Sequence, residues 1–64
     1  MRHVAYRVAL RSTDRTVGLR RSYSKAKRFA EKRTRAVPVA LDIHRIDLYA
    51  NSSELVQHID PRRQ

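Results

Sequence analysis

The chain contains no cysteine and no tryptophan, and it has one glycine and two prolines among its 64 residues. The lack of cysteine excludes disulfide bonds and thiolate metal ligands as sources of stability. The lone glycine, Gly18, excludes a glycine-rich loop of the kind that binds phosphate groups. No apolar run approaches the roughly 18 residues that a membrane-spanning helix needs, and no apolar signal segment follows Arg2. We therefore expect a cytoplasmic protein that makes no membrane contact.

The chain is also short, and aromatic residues are few. A chain of this size buries only about 60% of the surface that its unfolded form exposes, so its stability is marginal. We predict a single small domain over 1–64, in which 61–64 form a loose tail. Its core must consist mainly of Val, Leu and Ile, and self-association is one of the few remedies open to such a fold. A homodimer or a higher oligomer is therefore as well supported as a monomer.

Basic residues are abundant and unevenly distributed. The first 37 positions hold twelve of the 15 Lys and Arg residues and only two acids, a formal charge of +10. The remaining 27 residues hold three bases and four acids, a formal charge of −1. An uneven field of this kind attracts polyanions toward one part of a surface. Composition thus favours a nucleic acid or an acidic protein as the partner.

Two alternating segments predict a β-hairpin. Residues 3–11 and 16–21 alternate between apolar and polar side chains, with the period that is typical of half-buried strands. The four residues between them, 12–15, have the composition of a hairpin turn. If Leu10 pairs with Val17, the apolar residues of both strands lie on one side of the hairpin.

The same register determines the other side of the hairpin. It places Arg7 directly opposite Arg20, where like charges either splay into water or hold an anion between them. The residues between the long cations are small: Ala5, Ala9 and Gly18. We therefore predict a flat and basic outer face that a partner can approach closely.

Residues 25–36 are good or fair helix formers, and either Ser22 or Ser24 can cap the start of a helix. Pro38 ends that helix, because the residue before a proline is driven toward extended geometry. One stripe is apolar and suits packing against a sheet: Ala26, Phe29, Ala30 and Val37. The opposite side carries a basic stripe with spacings of three, four and three residues: Lys25, Arg28, Lys32 and Arg35.

Residues 39–49 are rich in branched apolar side chains and predict a third strand, and 55–59 predict a fourth strand paired back on it. The apolar positions of the third strand change parity between Ile43 and Ile46. Either a β-bulge at 44–45 restores one apolar face, or the strand is buried on both faces, one of them by a second copy of the protein. The element order predicts an α+β fold, ββαββ, with a small antiparallel or mixed sheet and one helix packed across one face.

No catalytic or cofactor-binding pattern is evident. The serines lack the signature of a nucleophile, and the carboxylates are scattered singly. His44 and His58 could approach each other across the last hairpin with Asp42 or Asp60 nearby, but their spacing matches no recognised zinc motif. We predict that the protein is not an enzyme and that it binds no metal or cofactor.

The candidate binding residues are therefore cations on the hairpin and on the helix. A helix and a two-stranded ribbon each fit a major groove. We expect contacts with the DNA or RNA backbone from eight side chains: Arg7, Arg11, Arg15, Arg20, Lys25, Arg28, Lys32 and Arg35. Stacking aromatics and recognised nucleic-acid-binding motifs are missing, so binding through phosphates would have little sequence selectivity.

The pattern over nearly the whole chain resembles a known kind of small protein. Tyr-Arg-Val at 6–8, Val-Gly-Leu-Arg at 17–20, a helix with Ala26 and Ala30, a long branched strand and Glu-Leu-Val at 54–56 follow in order. This order is similar to that of the strand-strand-helix-strand-strand orphan proteins of phages and mobile elements of GC-rich actinobacteria. The resemblance implies a protein that acts in a bacterial host by binding host factors or DNA.

Three functions are compatible with these observations. The first is a non-catalytic nucleic-acid-binding protein of phage or mobile-element origin. The second is a phage-encoded protein that binds and modulates an acidic host protein through the flat hairpin face or an exposed sheet edge. The third is a self-assembling structural protein, which the parity change in the third strand suggests.

Overall fold

The computed structural model describes residues 3–61 of the chain. The elements in order are β1 (Val4–Leu10), β2 (Thr16–Arg20), α1 (Tyr23–Ala36), β3 (Leu41–Asp47) and β4 (Ser52–Ile59). The strands form one antiparallel sheet in the order β2-β1-β3-β4, and α1 lies across one face in contact with all four strands. The predicted ββαββ fold of the α+β class is confirmed. Of the predicted loose tail, only Pro61 lies among the described residues.

The core lies between α1 and the sheet. Its largest fully buried side chains are Leu41 and Ile43 of β3 and Val8 of β1. Ala26 and Ala30 of α1 are fully buried against them. Because both alanines are small, the helix axis approaches the sheet closely, and branched strand residues fill the space between the two layers.

α1 begins two residues earlier than predicted and ends at Ala36, as Pro38 predicts. Ser22 is the N-cap, and its Oγ accepts a hydrogen bond from the backbone N–H of Lys25 at 3.2 Å. Val37 does not extend the buried stripe as predicted: it has extended geometry ahead of Pro38 and is 48% exposed. Thr34 is buried in its place. The Thr34 hydroxyl can be buried there because it donates a hydrogen bond to a backbone carbonyl of the preceding turn at 3.0 Å.

The turn between β3 and β4 makes the third strand shorter and the fourth strand longer than predicted. The carboxylate of Asp47 accepts hydrogen bonds from the backbone N–H groups of Tyr49 at 3.0 Å and Ala50 at 3.1 Å. Asn51 then adopts the left-handed conformation, with φ of 53°. These contacts end β3 at Asp47 and allow β4 to begin at Ser52 rather than at 55.

The register of β1 and β2 differs from the predicted one. Val8 lies opposite Gly18 and Arg7 lies opposite Leu19, with a bulge after this stretch. The predicted pairing of Arg7 with Arg20 is therefore wrong. Gly18 and Arg20 both lie on the face that α1 covers, and Leu19, predicted to point inward, points away from the helix and is 54% exposed.

Close packing of the helix explains this register. A Cβ atom at Gly18 would lie 2.7 Å from Cε2 of Phe29, so the phenyl ring occupies the space that a side chain at this position would need. The guanidinium of Arg20 also packs on that ring, with its Cζ 4.4 Å from the ring centroid. Leu19 does not fit beneath Phe29, and the strand shifts by one residue to place glycine there.

The irregularity in the second hairpin lies in β4 rather than in β3. β3 pairs with β1 in unbroken register. Val56 of β4 is the extra residue between the partners of Ile43 and His44. The bulge predicted at 44–45 is thus wrong in its strand, and Ile46 stays on the face opposite the core. The other alternative, in which a second copy of the protein covers this face of β3, is compatible with the position of Ile46 and stays a prediction.

One face of the sheet is covered by α1, and no element among residues 3–61 packs on the other. We call this second side the uncovered face. The strand pairings place the following residues on it: Ala5, Arg7, Ala9, Thr16, Leu19, Asp42, His44, Ile46, Ser53, Leu55 and His58. The side chain of Arg11, which contacts Asp42, also belongs to this face. The uncovered face and the exposed side of α1 therefore lie on opposite sides of the molecule.

Candidate nucleic-acid interface

The basic stripe lies on the exposed side of α1, as predicted from its spacing. Lys25, Arg28, Lys32 and Arg35 are all exposed, because the opposite side of the helix packs on the sheet. From the first to the last of them the helix rises about 15 Å. One strand of duplex DNA presents a phosphate about every 3.4 Å along the axis. The stripe therefore has the length of about four phosphates.

The cations of the stripe are not neutralised by neighbouring acids. Among the ion pairs formed within residues 3–61, none involves a stripe residue. α1 contains six Lys and Arg residues and one acid, Glu31. Exposed and unpaired cations in a row can displace the counterions of a nucleic acid, which is the main source of sequence-independent binding.

Arg7, on the uncovered face, is in a different environment. Its guanidinium donates hydrogen bonds to the hydroxyl of Thr16 and to the backbone carbonyl of Asp14. It also lies 3.2 Å from the carboxylate of Asp14, and its side chain is only 21% exposed. Arg7 thus holds the β1–β2 turn in place, and its charge is already compensated.

Arg11 is compensated by two carboxylates. Its guanidinium lies 3.0 Å from Asp42 and 2.9 Å from Asp60. The same oxygen of Asp42 lies 2.7 Å from Nδ1 of His58. Partial burial by itself would raise the pKa of Asp42, but the hydrogen bonds with His58 and Arg11 outweigh it and lower that pKa below its ordinary value. The cluster joins β1, β3 and β4 and leaves Arg11 little free charge.

Arg20 and Arg15, the other two predicted hairpin cations, are separated from each other. Arg20 packs on Phe29 and donates a hydrogen bond to the backbone carbonyl of Leu19 at 2.7 Å. Arg15 is exposed at the end of the β1–β2 turn. The eight predicted cations therefore do not form one surface. The helix gathers four of them, and the hairpin disperses the rest over the uncovered face, the helix side and the turn.

The aromatic side chains of residues 3–61 make their contacts away from the basic stripe, and Phe29 of α1 packs against Gly18 and Arg20. Tyr6 and Tyr23 pack edge to face with centroids 6.0 Å apart on the core side of the sheet. Tyr49 stacks on His3 at 4.5 Å beside the β3–β4 turn. The stripe consequently offers charge without a stacking platform, an arrangement that favours a duplex over unpaired bases.

An open groove of about 560 Å³ lies beside the stripe, between α1 and β4. Its walls carry both signs of charge, with Lys27 and Arg35 near Glu31 and Asp60. No three His, Asp or Glu side chains converge as metal ligands in the described part of the chain. α1, the one helix of residues 3–61, is too short and too polar to cross a bilayer.

Sequence reasoning found the cations but missed the acids that compensate them. Asp14 lies in the turn that follows β1, so its ion pair with Arg7 can be predicted from the sequence once the register of β1 and β2 is known. The pairing of Arg11 with Asp42 cannot, because it depends on β1 lying next to β3 in the sheet. The sequence predicts that His44 and His58 can approach each other across the last hairpin with Asp42 or Asp60 nearby. In the structure His58 lies opposite Asp42 and contacts its carboxylate.

Comparisons with known proteins give no match for this chain. No family model matches it, and neither a curated protein nor a solved structure is significantly similar to it. The charges and the geometry of the molecule are therefore the grounds on which a function can be proposed.

Proposed function

We propose that this chain is a non-catalytic nucleic-acid-binding protein that contacts the phosphates of a duplex through the basic stripe of α1. Binding of this kind has little sequence selectivity, because phosphate contacts carry no direct sequence information. The resemblance of the sequence pattern to phage and mobile-element proteins supports such an origin and a role in the cytoplasm of a bacterial host.

The observation that carries the proposal is the contrast in pairing. The stripe holds four exposed cations with no carboxylate partner among residues 3–61, whereas the cations of the uncovered face are paired within the molecule. Counterions condensed on a nucleic acid are released only by cations that are free to replace them. The helix is therefore the surface on which this molecule can gain free energy from a polyanion.

The shape of α1 is also suitable. An α-helix with its side chains has a diameter of about 10–12 Å, close to the width of about 12 Å of the major groove of B-DNA. The sheet supports one side of α1, so only the exposed side can face the groove. With α1 at the mouth of the groove rather than on its floor, the long side chains of the stripe reach the phosphates, and Arg28 and Lys32 lie at the centre of the stripe.

Binding affinity as a function of salt concentration tests the proposal. Four neutralised phosphates predict a slope of about −3.6 for log K against log salt on a DNA duplex. The Arg28→Gln/Lys32→Gln variant should lower the magnitude of the slope by about 2, and glutamine keeps the helix intact. The Arg15→Gln/Arg45→Gln variant removes the same charge away from the stripe and should change the slope much less.

Equal losses in the two variants would show that net charge, and not the stripe, determines binding. A slope near zero in the wild-type protein would reject the nucleic-acid proposal altogether. Duplex RNA and a single strand of the same length should be compared in the same assay, since the stripe predicts preference for a duplex over a single strand.

A second candidate function is binding to a host protein through the uncovered face, because that face exposes apolar side chains that a protein partner can cover. A pull-down from bacterial lysate treated with nuclease separates the two candidates. A stoichiometric protein partner that survives nuclease and is lost on changing Leu19 or Leu55 to Glu would support the host-protein function. Loss of all partners with nuclease would support the nucleic-acid function.

A further inference from the structure

The uncovered face exposes apolar side chains on both of its edge strands, with Arg7 and His44 between them on the central strands. Leu19 on the edge strand β2 is 54% exposed and Leu55 on the edge strand β4 is 47% exposed, and both lie in the same row across the sheet. Ile46 and Ala5 are partly exposed in the adjacent row of the two central strands. Apolar side chains grouped on one face in this way mark an interaction surface more often than single exposed residues do.

Charge determines which partner this face can accept. The chain carries a formal net charge of +9, so two copies repel each other over most of their surface. On the uncovered face, however, Arg7 is paired with Asp14, and Arg11 is paired with Asp42 and Asp60. Charges that become buried at an interface must be paired, and here the pairs already exist within one copy.

The size of the face limits the strength of such an association. Four strands about 4.8 Å apart and about 25 Å long present roughly 500 Å² to a facing sheet. Two copies would bury roughly 1,000 Å² in total, at the lower end of specific interfaces. A dimer of this size is reversible and depends on protein concentration.

The sheet edges are a less suitable place for self-association. β4 is an exposed edge strand, but the bulge at Val56 interrupts its hydrogen-bonding register, and bulges are a common protection against edge-to-edge pairing. At the other edge, β2 is only five residues long and is also bulged. The uncovered face is therefore better suited to self-association than either edge, because it is continuous and its arginines are already paired with acids.

We infer that a second copy of this chain covers the uncovered face, so that two sheets pack face to face around a two-fold axis. Leu19, Ile46 and Leu55 of each copy supply the apolar contacts of this interface, with the two leucines on the edge strands and Ile46 on a central strand, and the paired charges around Arg11 lie toward its rim. The two α1 helices then lie on opposite outer surfaces of the dimer. This inference does not depend on nucleic-acid binding.

Sedimentation equilibrium of nucleic-acid-free protein, over a wide range of micromolar concentrations, tests the inference. The wild-type mass should rise from 7.5 kDa toward twice that value as concentration increases. The Leu19→Glu/Leu55→Glu variant should self-associate at least about tenfold more weakly, because it places four unpaired charges within the dimer interface. The matched control is Ala36→Glu/Val37→Glu, which adds the same charge at two exposed positions at the end of α1, on the other side of the sheet.

A wild-type mass that stays at 7.5 kDa throughout the range would overturn the inference. So would self-association of the face variant at wild-type strength, which would place the contact elsewhere. Both substituted leucines are exposed, and circular dichroism of each variant verifies that the fold is retained. Because no nucleic acid is present, failure here is distinguishable from failure of the proposed function.

Discussion

The basic residues on the two sides of this molecule differ in whether they are paired with acids. On the exposed side of α1, the basic stripe has no carboxylate partner among residues 3–61, whereas on the uncovered face Arg7 and Arg11 are held by three aspartates. Basic residues are present in both regions, six in α1 and four in residues 4–20. The positions of the few acids, and not the number of bases, therefore determine which cations have no carboxylate partner among residues 3–61.

The acids are distributed by the topology of the sheet. Placing β1 beside β3 brings Asp42 to Arg11, and the end of β4 adds Asp60 to the same guanidinium. Glu54 of β4 pairs with Arg45 at 3.2 Å on neighbouring strands. α1 packs on the sheet through small residues and brings no acid from the strands to its exposed side.

Reversing the charge of the whole stripe should have the largest effect. Changing Lys25, Arg28, Lys32 and Arg35 to Glu replaces four attractive phosphate contacts by four repulsive ones. We expect affinity for duplex DNA to fall at least about 100-fold at moderate salt, with an unchanged circular dichroism spectrum. A variant that still binds at wild-type strength would show that the stripe is not the interface.

A substitution at Gly18 should have the next largest effect, on stability rather than on binding. Gly18→Ala places a methyl group 2.7 Å from the ring of Phe29 and disturbs the ring on which Arg20 packs. We expect a loss of about 1–3 kcal/mol in the free energy of unfolding, as for other overpacked sites. Urea denaturation measures this loss.

The adjacent Leu19 provides the matched control for the opposite face. Leu19→Ala removes a side chain that is 54% exposed, so at low protein concentration it should change stability by less than about 0.5 kcal/mol. A larger loss at Leu19 than at Gly18 would contradict the observed register and favour the one expected from alternation.

These neighbouring positions also show how far the sequence predicts the fold. Alternation and helical periodicity correctly predict the element order, the Ser22 cap and the basic stripe, because each depends on residues close in sequence. The register of β1 and β2 depends on Phe29 occupying the space above Gly18. Local alternation treats glycine as a neutral position and cannot anticipate that contact.

The sequence predicts only part of the candidate interface, again because it indicates features of residues close in the chain and not contacts between distant strands. The stripe is a property of one helix, and its exposure follows from Ala26 and Ala30 on the other side. The sequence also predicts the hairpin arginines as binding residues, but this requires that Arg20 faces outward and that Arg11 has no acidic partner. Both points depend on contacts between strands far apart in sequence, such as that between Arg11 and Asp42.

The cluster around Asp42 predicts a smaller, pH-dependent effect. Hydrogen bonds with His58 and Arg11 lower the pKa of Asp42 in the folded protein below its ordinary value of 3.8, despite partial burial. The resulting stabilisation is fully present above that ordinary value and is lost as the pH falls through the lowered pKa. Asp42→Asn should therefore lower the free energy of unfolding by about 1–2 kcal/mol at neutral pH, and the difference should shrink in strong acid.

Denaturation of wild type and variant across this pH range measures the difference. Glu54→Gln is the control, because its pair with Arg45 is well exposed and should contribute less than about 0.5 kcal/mol at any pH. A difference between wild type and Asp42→Asn that stays constant into strong acid would show that the ionised carboxylate is not what stabilises the cluster.

The most direct test of the contrast between the two sides is an NMR titration of the isotope-labelled protein with a short DNA duplex. If the free cations of α1 bind phosphates, the largest shifts in amide resonances should lie at Lys25, Arg28, Lys32 and Arg35. The resonances of Arg7, Arg11 and the rest of the uncovered face should change little. Shifts centred on the uncovered face, with the helix unaffected, would contradict this account.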